Sequence, residues 1–169
     1  MPTNNGNSRE TLQKLYLKEL KDLYSAEEQI LEALPKMIQR ASHADLKRGF
    51  QEHYQQTEQQ LHRLEEIGNM LGEELSGHDC KGMKGLIEEG EEAMKEFTDS
   101  DVLDAALIGA AQRVEHYEMA GYGCARTYAN LLGLSDQSTI LQRTLDEEGE
   151  TDKKLTELAE TVINIDALK

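Results

Sequence analysis

The sequence predicts an all-α protein, an up-down bundle of four long helices with a long crossover that carries a short fifth helix. Its composition favours helix over sheet, because two prolines, two phenylalanines and no tryptophan stand against abundant Glu, Leu, Lys and Ala. Four segments repeat apolar residues at spacings of three, four or seven, which is the period of an amphipathic helix. Turn and capping signals separate these segments and leave the longest connection between the second and the third.

The first helix is expected to begin at Glu10, after a flexible tail over residues 1–9. Its apolar stripe consists of Leu12, Tyr16, Leu20, Leu23, Ile30 and Leu34. Pro35 lies inside the pattern and is expected to kink the helix, because proline lacks a backbone donor and clashes with the preceding turn. The stripe continues beyond Pro35 at Met37 and Ile38.

The second helix is expected to start at Ser42–Asp45, where a serine with an acid three residues later resembles a capping box. It runs to about Leu75, and the segment "SGHDCKG" then breaks it. The short crossover helix is predicted over Met83–Phe97.

The third long helix is predicted over Val102–Leu132, after the start signal Thr98–Asp101 and before a glycine stop at Gly133. Ser135 is expected to cap the fourth helix, whose stripe consists of Leu141, Leu145, Leu155, Leu158 and Val162. Residues 10–165 are therefore predicted to form one domain. A bundle with one long crossover between its second and third helices is typical of ferritin-like folds.

The formal net charge of −15 disfavours nucleic acid and anionic membranes as partners, since phosphate binding requires clustered Lys and Arg. No run approaches the roughly 18 apolar residues of a membrane span. The polar start "MPTNNGNSRE" lacks an apolar signal core, so a cytoplasmic location is expected. Cys80 and Cys124 form no CxxC pair; two free thiols are the expected state, with one disulfide as the alternative.

Each long helix also places polar side chains where its stripe predicts apolar ones. In chain order they are Glu27, then His53 and Gln56, then Glu115 and Glu118, then Glu148 and Asp152. The paired residues are three or four apart and therefore share a helix face. Buried carboxylates cost on the order of several kcal/mol each unless they are paired, protonated or bound to metal. Their convergence predicts a dinuclear iron or manganese site in the bundle core, because two such cations would neutralise about four carboxylates.

The spacing leaves other interpretations open. Three arginines could pair with the acids instead: Arg113, Arg126 and Arg143. A histidine such as His53 is, taken alone, more often a hydrogen-bonded core residue than a ligand. His116 is expected on the surface, away from the face that Glu115 and Glu118 share. The metal is also open, although carboxylates with little imidazole suit iron or manganese better than copper or zinc.

Four segments carry a family resemblance: "DLYSAEEQILEALPKM", "CKGMKGLIEEGEE", "DAALIGAAQRVEHYEMAGYG" and "LDEEGETDKKLTELA". Together they resemble the YciF-like bacterial stress-response proteins, a branch of the ferritin-like superfamily, over about residues 10 to 162. The resemblance implies a rubrerythrin-like dinuclear metal motif and a homodimer. By position it points to Glu27, His53, Glu115, Glu118, Glu148 and Asp152. It implies no settled reaction, so enzymatic activity is left open.

Gln56 is a departure from the family pattern, which typically has glutamate at this position. The usual ferritin-like Glu-x-x-His is also absent, since the second helix has His53-x-x-Gln56 and the fourth has Glu148-x-x-x-Asp152. An amide is a poorer ligand for a hard cation than a carboxylate. We therefore expect weaker binding, or a changed geometry, at one of the two metal positions.

Two hypotheses follow. In the first, the protein is a cytoplasmic stress-response protein that binds two iron or manganese ions and, if the site is redox-active, limits oxidative damage by reacting with dioxygen or peroxide. In the second, it is a metal-free helical structural or interaction protein of the same fold, whose inward acids are protonated or paired with arginine.

Overall fold

The computed structural model describes residues 5–169, with side chains from residue 9 onward. It contains five main helices: α1 Asn5–Arg40, α2 Ala44–Leu71, α3 Lys81–Glu96, α4 Ser100–Leu132 and α5 Ser135–Leu158. A π-helical turn, Ala159–Ile163, continues α5 and is followed by a last helical turn, Asn164–Asp166. No strand occurs within residues 5–169. The predicted all-α bundle with a short helix in its crossover is confirmed.

The four long helices pack around one axis, α1 against α2 and α4, and α5 against α4 and α2. The crossover helix α3 packs against α4 and α1, so it covers one outer face of the bundle. α1 and α4 approach closely at Gly121, where a Cβ would lie 2.7 Å from Leu23 Cδ2. A side chain at this position would therefore require the Leu23 side chain to move.

Several helix ends differ from the predicted ones. α1 begins at Asn5, so residues 5–9 are helical instead of a tail; residues 1–4 of the predicted tail lie outside the described residues. α1 also continues through Pro35 to Arg40. α2 ends at Leu71, earlier than the predicted Leu75, because Gly72 adopts a left-handed conformation (φ 68°) that only glycine tolerates easily.

Two predicted caps are wrong. His43, and not Ser42, caps α2, and its Nδ1 accepts a hydrogen bond from the Asp45 amide at 3.2 Å. At the start of α5, Leu134 occupies the cap position without a side-chain hydrogen bond, and Ser135 is already helical. The glycine stop at Gly133 is confirmed, with φ 79°.

The core consists of two apolar clusters separated along the bundle axis. One contains Leu20, Leu23, Leu64, Tyr122 and Leu141, and the other contains Ile30, Leu34, Phe50, Leu107 and Leu155. On every long helix, buried polar residues fall between the two clusters. This polar layer consists of Glu27, His53, Thr57, Gln60, Glu115, Glu118, Thr144 and Glu148.

The two cysteines are free thiols, as expected, with Cys80 buried and Cys124 exposed. Among the described residues, none of the helices combines the length and the apolar character that a membrane span requires.

Candidate metal centre

Four side chains meet within the polar layer: His53 from α2, Glu115 and Glu118 from α4, and Glu148 from α5. Each offers a candidate ligand atom, and these atoms all lie within 4.8 Å of one another. The four residues are at most 2% exposed. The helical period explains the convergence, because Glu115 and Glu118 continue the inward stripe of α4 between its two apolar stretches.

The imidazole of His53 lies between two of the carboxylates. Its Nδ1 is 3.1 Å from Glu115 Oε1, and its Nε2 is 3.8 Å from Glu148 Oε2. Burial lowers the pKa of His53 to about 4, so the ring is neutral near pH 7 and keeps a lone pair for a metal.

Although His53 Nδ1 lies close to Glu115 Oε1, most of the polar atoms of this cluster and of Glu27 lack a hydrogen bond of acceptable geometry within residues 9–169. They are both carboxylate oxygens of Glu115, Glu118 and Glu148, together with Glu27 Oε2 and His53 Nε2. Leaving such groups buried and unpaired is costly, and native proteins rarely do so without an ion, a water or a function. Carboxylate oxygens with one imidazole are a donor set that fits iron or manganese.

The pKa values of the carboxyl groups reflect the same crowding. Burial, followed by the charge of Glu148, raises the pKa values of Glu27 and Glu115 well above the usual range, and those causes act in the same way on Glu118. Burial also raises the pKa of Glu148 to about 7. A cation in the cluster would favour the charged forms and so oppose these shifts.

Glu27 brings α1 into the polar layer. It is fully buried, and the Tyr122 hydroxyl donates a short hydrogen bond to its Oε1, while Oε2 faces the layer without a partner. Glu27 lies outside the tightest group of four, although its charge interacts with that of Glu148. Tyr122 thus holds one oxygen of Glu27 in place and leaves the other available.

Two further predicted ligands lie at the edge of the layer. Asp152 is half-buried; its Oδ1 accepts a hydrogen bond from Gln112 Nε2 at 3.0 Å and lies 3.3 Å from Nε2 of the exposed His116. Gln56 is also half-buried, and its Oε1 accepts from Thr151 Oγ1 at 3.4 Å. Neither belongs to the group of four. Their roles as ligands stay predictions.

The sequence analysis gave no role to Gln60, which is fully buried in the polar layer. Its Nε2 lies 3.4 Å from Glu147 Oε2, and its Oε1 has no partner among the described residues. Gln60 is seven residues after His53, so the helical period places it near the same face, but the period alone does not show that it is buried.

The arginines that could have paired with the buried acids do not reach them. Arg113 donates to the Gly109 carbonyl, and Arg126 donates to Gln142. Arg143 contacts Glu147 at 3.3 Å.

A fourth arginine, Arg63, forms a two-pronged ion pair with Glu147, with N–O distances of 2.6 and 2.8 Å. Burial raises the pKa values of Glu27 and Glu148, and the charge of Arg63 opposes this larger effect somewhat, but none of the four arginines forms an ion pair with the buried cluster.

The bundle, its crossover helix and the buried His/Glu cluster define a helical protein of the YciF-like class. Residues 11–168 match the model of the family described as "Domain of unknown function (DUF892)". The chain belongs to this DUF892 family. Protein YciF of Escherichia coli strain K12 is 39% identical to it over 155 residues, which cover 91% of this chain and 93% of that protein. The resemblance identified from the sequence is confirmed.

Solved structures agree with this assignment. The crystal structure of the E. coli stress protein YciF matches with a TM-score of 0.87 at 38% identity, covering 90% of this chain and 97% of that one. A structure of YcfI from Rhodopseudomonas palustris matches with a TM-score of 0.84 at 42% identity, covering 86% and 92% of the two chains.

Proposed function

We propose that this protein binds two iron or manganese ions in its polar layer and serves as a stress-response protein of the YciF type. One observation carries the proposal: buried carboxylate oxygens and an imidazole nitrogen converge without partners inside an otherwise apolar core. Two divalent cations would bring four positive charges, which four glutamates of the layer would balance. The charge balance explains why so many acids share one site.

Each residue has a distinct part in this proposal. Glu115, Glu118 and Glu148 supply oxygens, and His53 supplies a nitrogen. Glu27 adds an oxygen from α1, oriented by its hydrogen bond from Tyr122. The apolar clusters on either side exclude water from the layer. Bound iron or manganese would supply redox chemistry toward dioxygen or peroxide, which is the proposed basis of protection against oxidative stress.

Metal analysis tests the proposal directly. Protein purified without chelator and incubated with ferrous iron or manganese is expected to retain close to two ions per chain, with anomalous scattering peaks beside Glu118 and Glu148. Glu118→Gln should retain less metal. Glu150→Gln is the matched control, because Glu150 lies on α5 with its side chain 64% exposed. Absence of any ion near these side chains after incubation would contradict the proposal.

The metal-free structural or interaction protein is the second candidate. The raised pKa values of Glu115 and Glu118 favour it, since protonated glutamates can occupy a buried layer without a cation. Thermal melting separates the two candidates. A ligand at one hundred times its Kd stabilises the folded state by about 2.7 kcal/mol. An unchanged melting temperature at such metal concentrations would support the metal-free candidate.

The homodimer and the cytoplasmic location expected from the sequence belong to this proposal as well. Analytical ultracentrifugation of the metal-loaded and metal-free protein measures the oligomeric state.

A further inference from the structure

A small apolar cavity adjoins the candidate metal centre between α1, α3 and α4. Its volume is about 40 Å³. His53 forms part of its wall, and apolar side chains form most of the rest: Ile30, Leu34, Met37, Ile87, Met94 and Val114. Apart from His53, none of these wall residues has a part in the metal-binding roles described above.

The charged lining residues of this apolar cavity are Lys36 on α1 and Glu91 on α3. Their side chains form an ion pair at 2.6 Å and are 58% and 31% exposed. They therefore lie at the solvent end of the cavity, and the ion pair joins the two helices there. Inward from this pair the lining is apolar as far as His53.

Water gains little in such a space. A buried water needs about 10–15 Å³ of cavity and two to four polar partners. The apolar cavity has the volume, but its inner wall offers only the imidazole of His53. Enclosed apolar cavities in proteins stay dry and bind apolar atoms such as xenon.

A second approach to His53 is wider and more polar. A groove of about 340 Å³ between α2 and α5 reaches His53, and its lining is mixed. Polar and charged residues such as Glu52, Gln56 and Lys154 stand beside apolar ones such as Phe50 and Leu155. Polar and charged side chains suit water, cations and peroxide. His53 thus lies between a wide, partly polar groove and a narrow apolar cavity that reach it from different sides of the bundle.

We propose that the apolar cavity is a binding site for one small apolar gas molecule, dioxygen in the cell, held beside His53. The binding itself requires no metal. The site would deliver dioxygen to the metal centre by a path separate from that of ions and water. This role of the site rests on the proposed metal function.

Xenon tests the binding. Crystals of the chelator-treated protein, pressurised with xenon, are expected to show an anomalous peak in the apolar cavity. Ala33→Leu should abolish that peak, because Ala33 lines this cavity and leucine would occupy it. Ala93→Leu is the matched control: Ala93 lines a neighbouring hollow between α3 and α4 that does not reach His53. Met94→Ala should increase the occupancy by enlarging the cavity.

The outcomes separate the two proposals. A peak that is lost in Ala33→Leu, kept in Ala93→Leu and strengthened in Met94→Ala supports a gas site, whether or not the protein binds metal. No peak in the unmodified protein, or an unchanged peak in Ala33→Leu and Met94→Ala, overturns it. In ferrous protein, stopped-flow oxidation by dioxygen should slow several-fold in Ala33→Leu while oxidation by peroxide stays unchanged; equal slowing of both would overturn the separate path.

Discussion

Helix α4 buries carboxylates in two places, and the protein surrounds them differently. Asp104, 1% exposed, accepts hydrogen bonds from the Ser42 amide at 2.8 Å, the Ser42 hydroxyl at 2.6 Å and the His43 amide at 2.8 Å. Glu118, 0% exposed, has no partner among the described residues for either oxygen. Burial is the same, yet one carboxylate is satisfied by the chain and the other is not.

The difference separates a structural acid from a candidate ligand. Asp104 connects the turn between α1 and α2 to the start of α4. Its three donors are two backbone amides and one hydroxyl, all from Ser42 and His43 in that turn. Nothing of this kind surrounds Glu118. Since buried acids can be satisfied in this fold, the bare oxygens of the polar layer support the proposed metal site, in which their partner comes from outside the chain.

The largest expected effect is at the structural acid. Asp104→Asn keeps the shape but replaces an accepting oxygen with a donor, so at least one buried amide or hydroxyl loses its partner. We expect the free energy of unfolding to fall by about 3–5 kcal/mol, with or without metal. Urea denaturation measures it. A loss below about 1 kcal/mol would mean that Asp104 contributes little to stability. The contrast between a structural acid at Asp104 and a candidate ligand at Glu118 would then not hold.

The second effect is a pH dependence of the metal-free protein. Burial raises the pKa of Glu148 to about 7, whereas an unfolded glutamate titrates near 4.3. The folded state therefore holds a proton that the unfolded state releases, and the free energy of unfolding falls as pH rises between about 4.3 and 7. We expect a decrease of about 2–3 kcal/mol across that window in chelator.

Denaturation in chelator at several pH values measures this dependence. Metal should reverse the trend, because protons and cations compete for the same oxygens and binding strengthens as pH rises. Stability that stays constant or increases with pH in chelator would show that these glutamates are charged and compensated by the chain.

The third effect concerns Glu118 itself. Glu118→Gln removes a carboxyl group whose ionised form is disfavoured in the crowded layer, so in chelator the variant should be at least as stable as the unmodified protein at pH 7. With metal, it should bind ten- to a hundredfold more weakly, a loss of about 1.4–2.7 kcal/mol. Thermal melting in chelator measures the change in stability, and thermal melting with metal measures the loss of metal binding. Destabilisation in chelator as large as that of Asp104→Asn would place Glu118 among the structural acids.

The smallest effect is expected at Gln56. Gln56→Glu should tighten metal binding several-fold, about 1 kcal/mol, because a carboxylate would add charge and an oxygen beside His53. The half-buried position should limit the loss of stability in chelator to less than that. Titration calorimetry with manganese measures the change. Gln60→Glu is the informative comparison, since Gln60 is fully buried and should be destabilised more without metal.

On three helices, the helical period correctly predicted which polar residues point into the core. Glu27, Glu115 and Glu148 interrupt apolar stripes, and each is fully buried. The period could not distinguish Gln56 from Gln60, which both lie near the face of His53, because burial depends on how the helix is turned toward α5. That orientation comes from packing between helices and is not encoded in the spacing within one of them.

Helix ends were less predictable than helix faces. Serine and acid at Ser42–Asp45 fit a capping box, but the Ser42 hydroxyl donates to Asp104 across the bundle, which leaves the cap to His43. A long-range partner thus overrode a local signal. Gly133, whose conformation depends only on its own backbone, ended its helix as predicted.

The contrast between the two free thiols makes the polar layer accessible to spectroscopy. Cys80 is buried and Cys124 is exposed, so a spin label or fluorophore supplied to the folded protein should attach at Cys124 without any engineered substitution. Cys124 is six residues after Glu118 on α4, which is about 9 Å along the helix axis. A nitroxide at that distance relaxes faster when paramagnetic manganese enters the core. A spin label on Cys124 would therefore report manganese binding without any substitution in the native sequence.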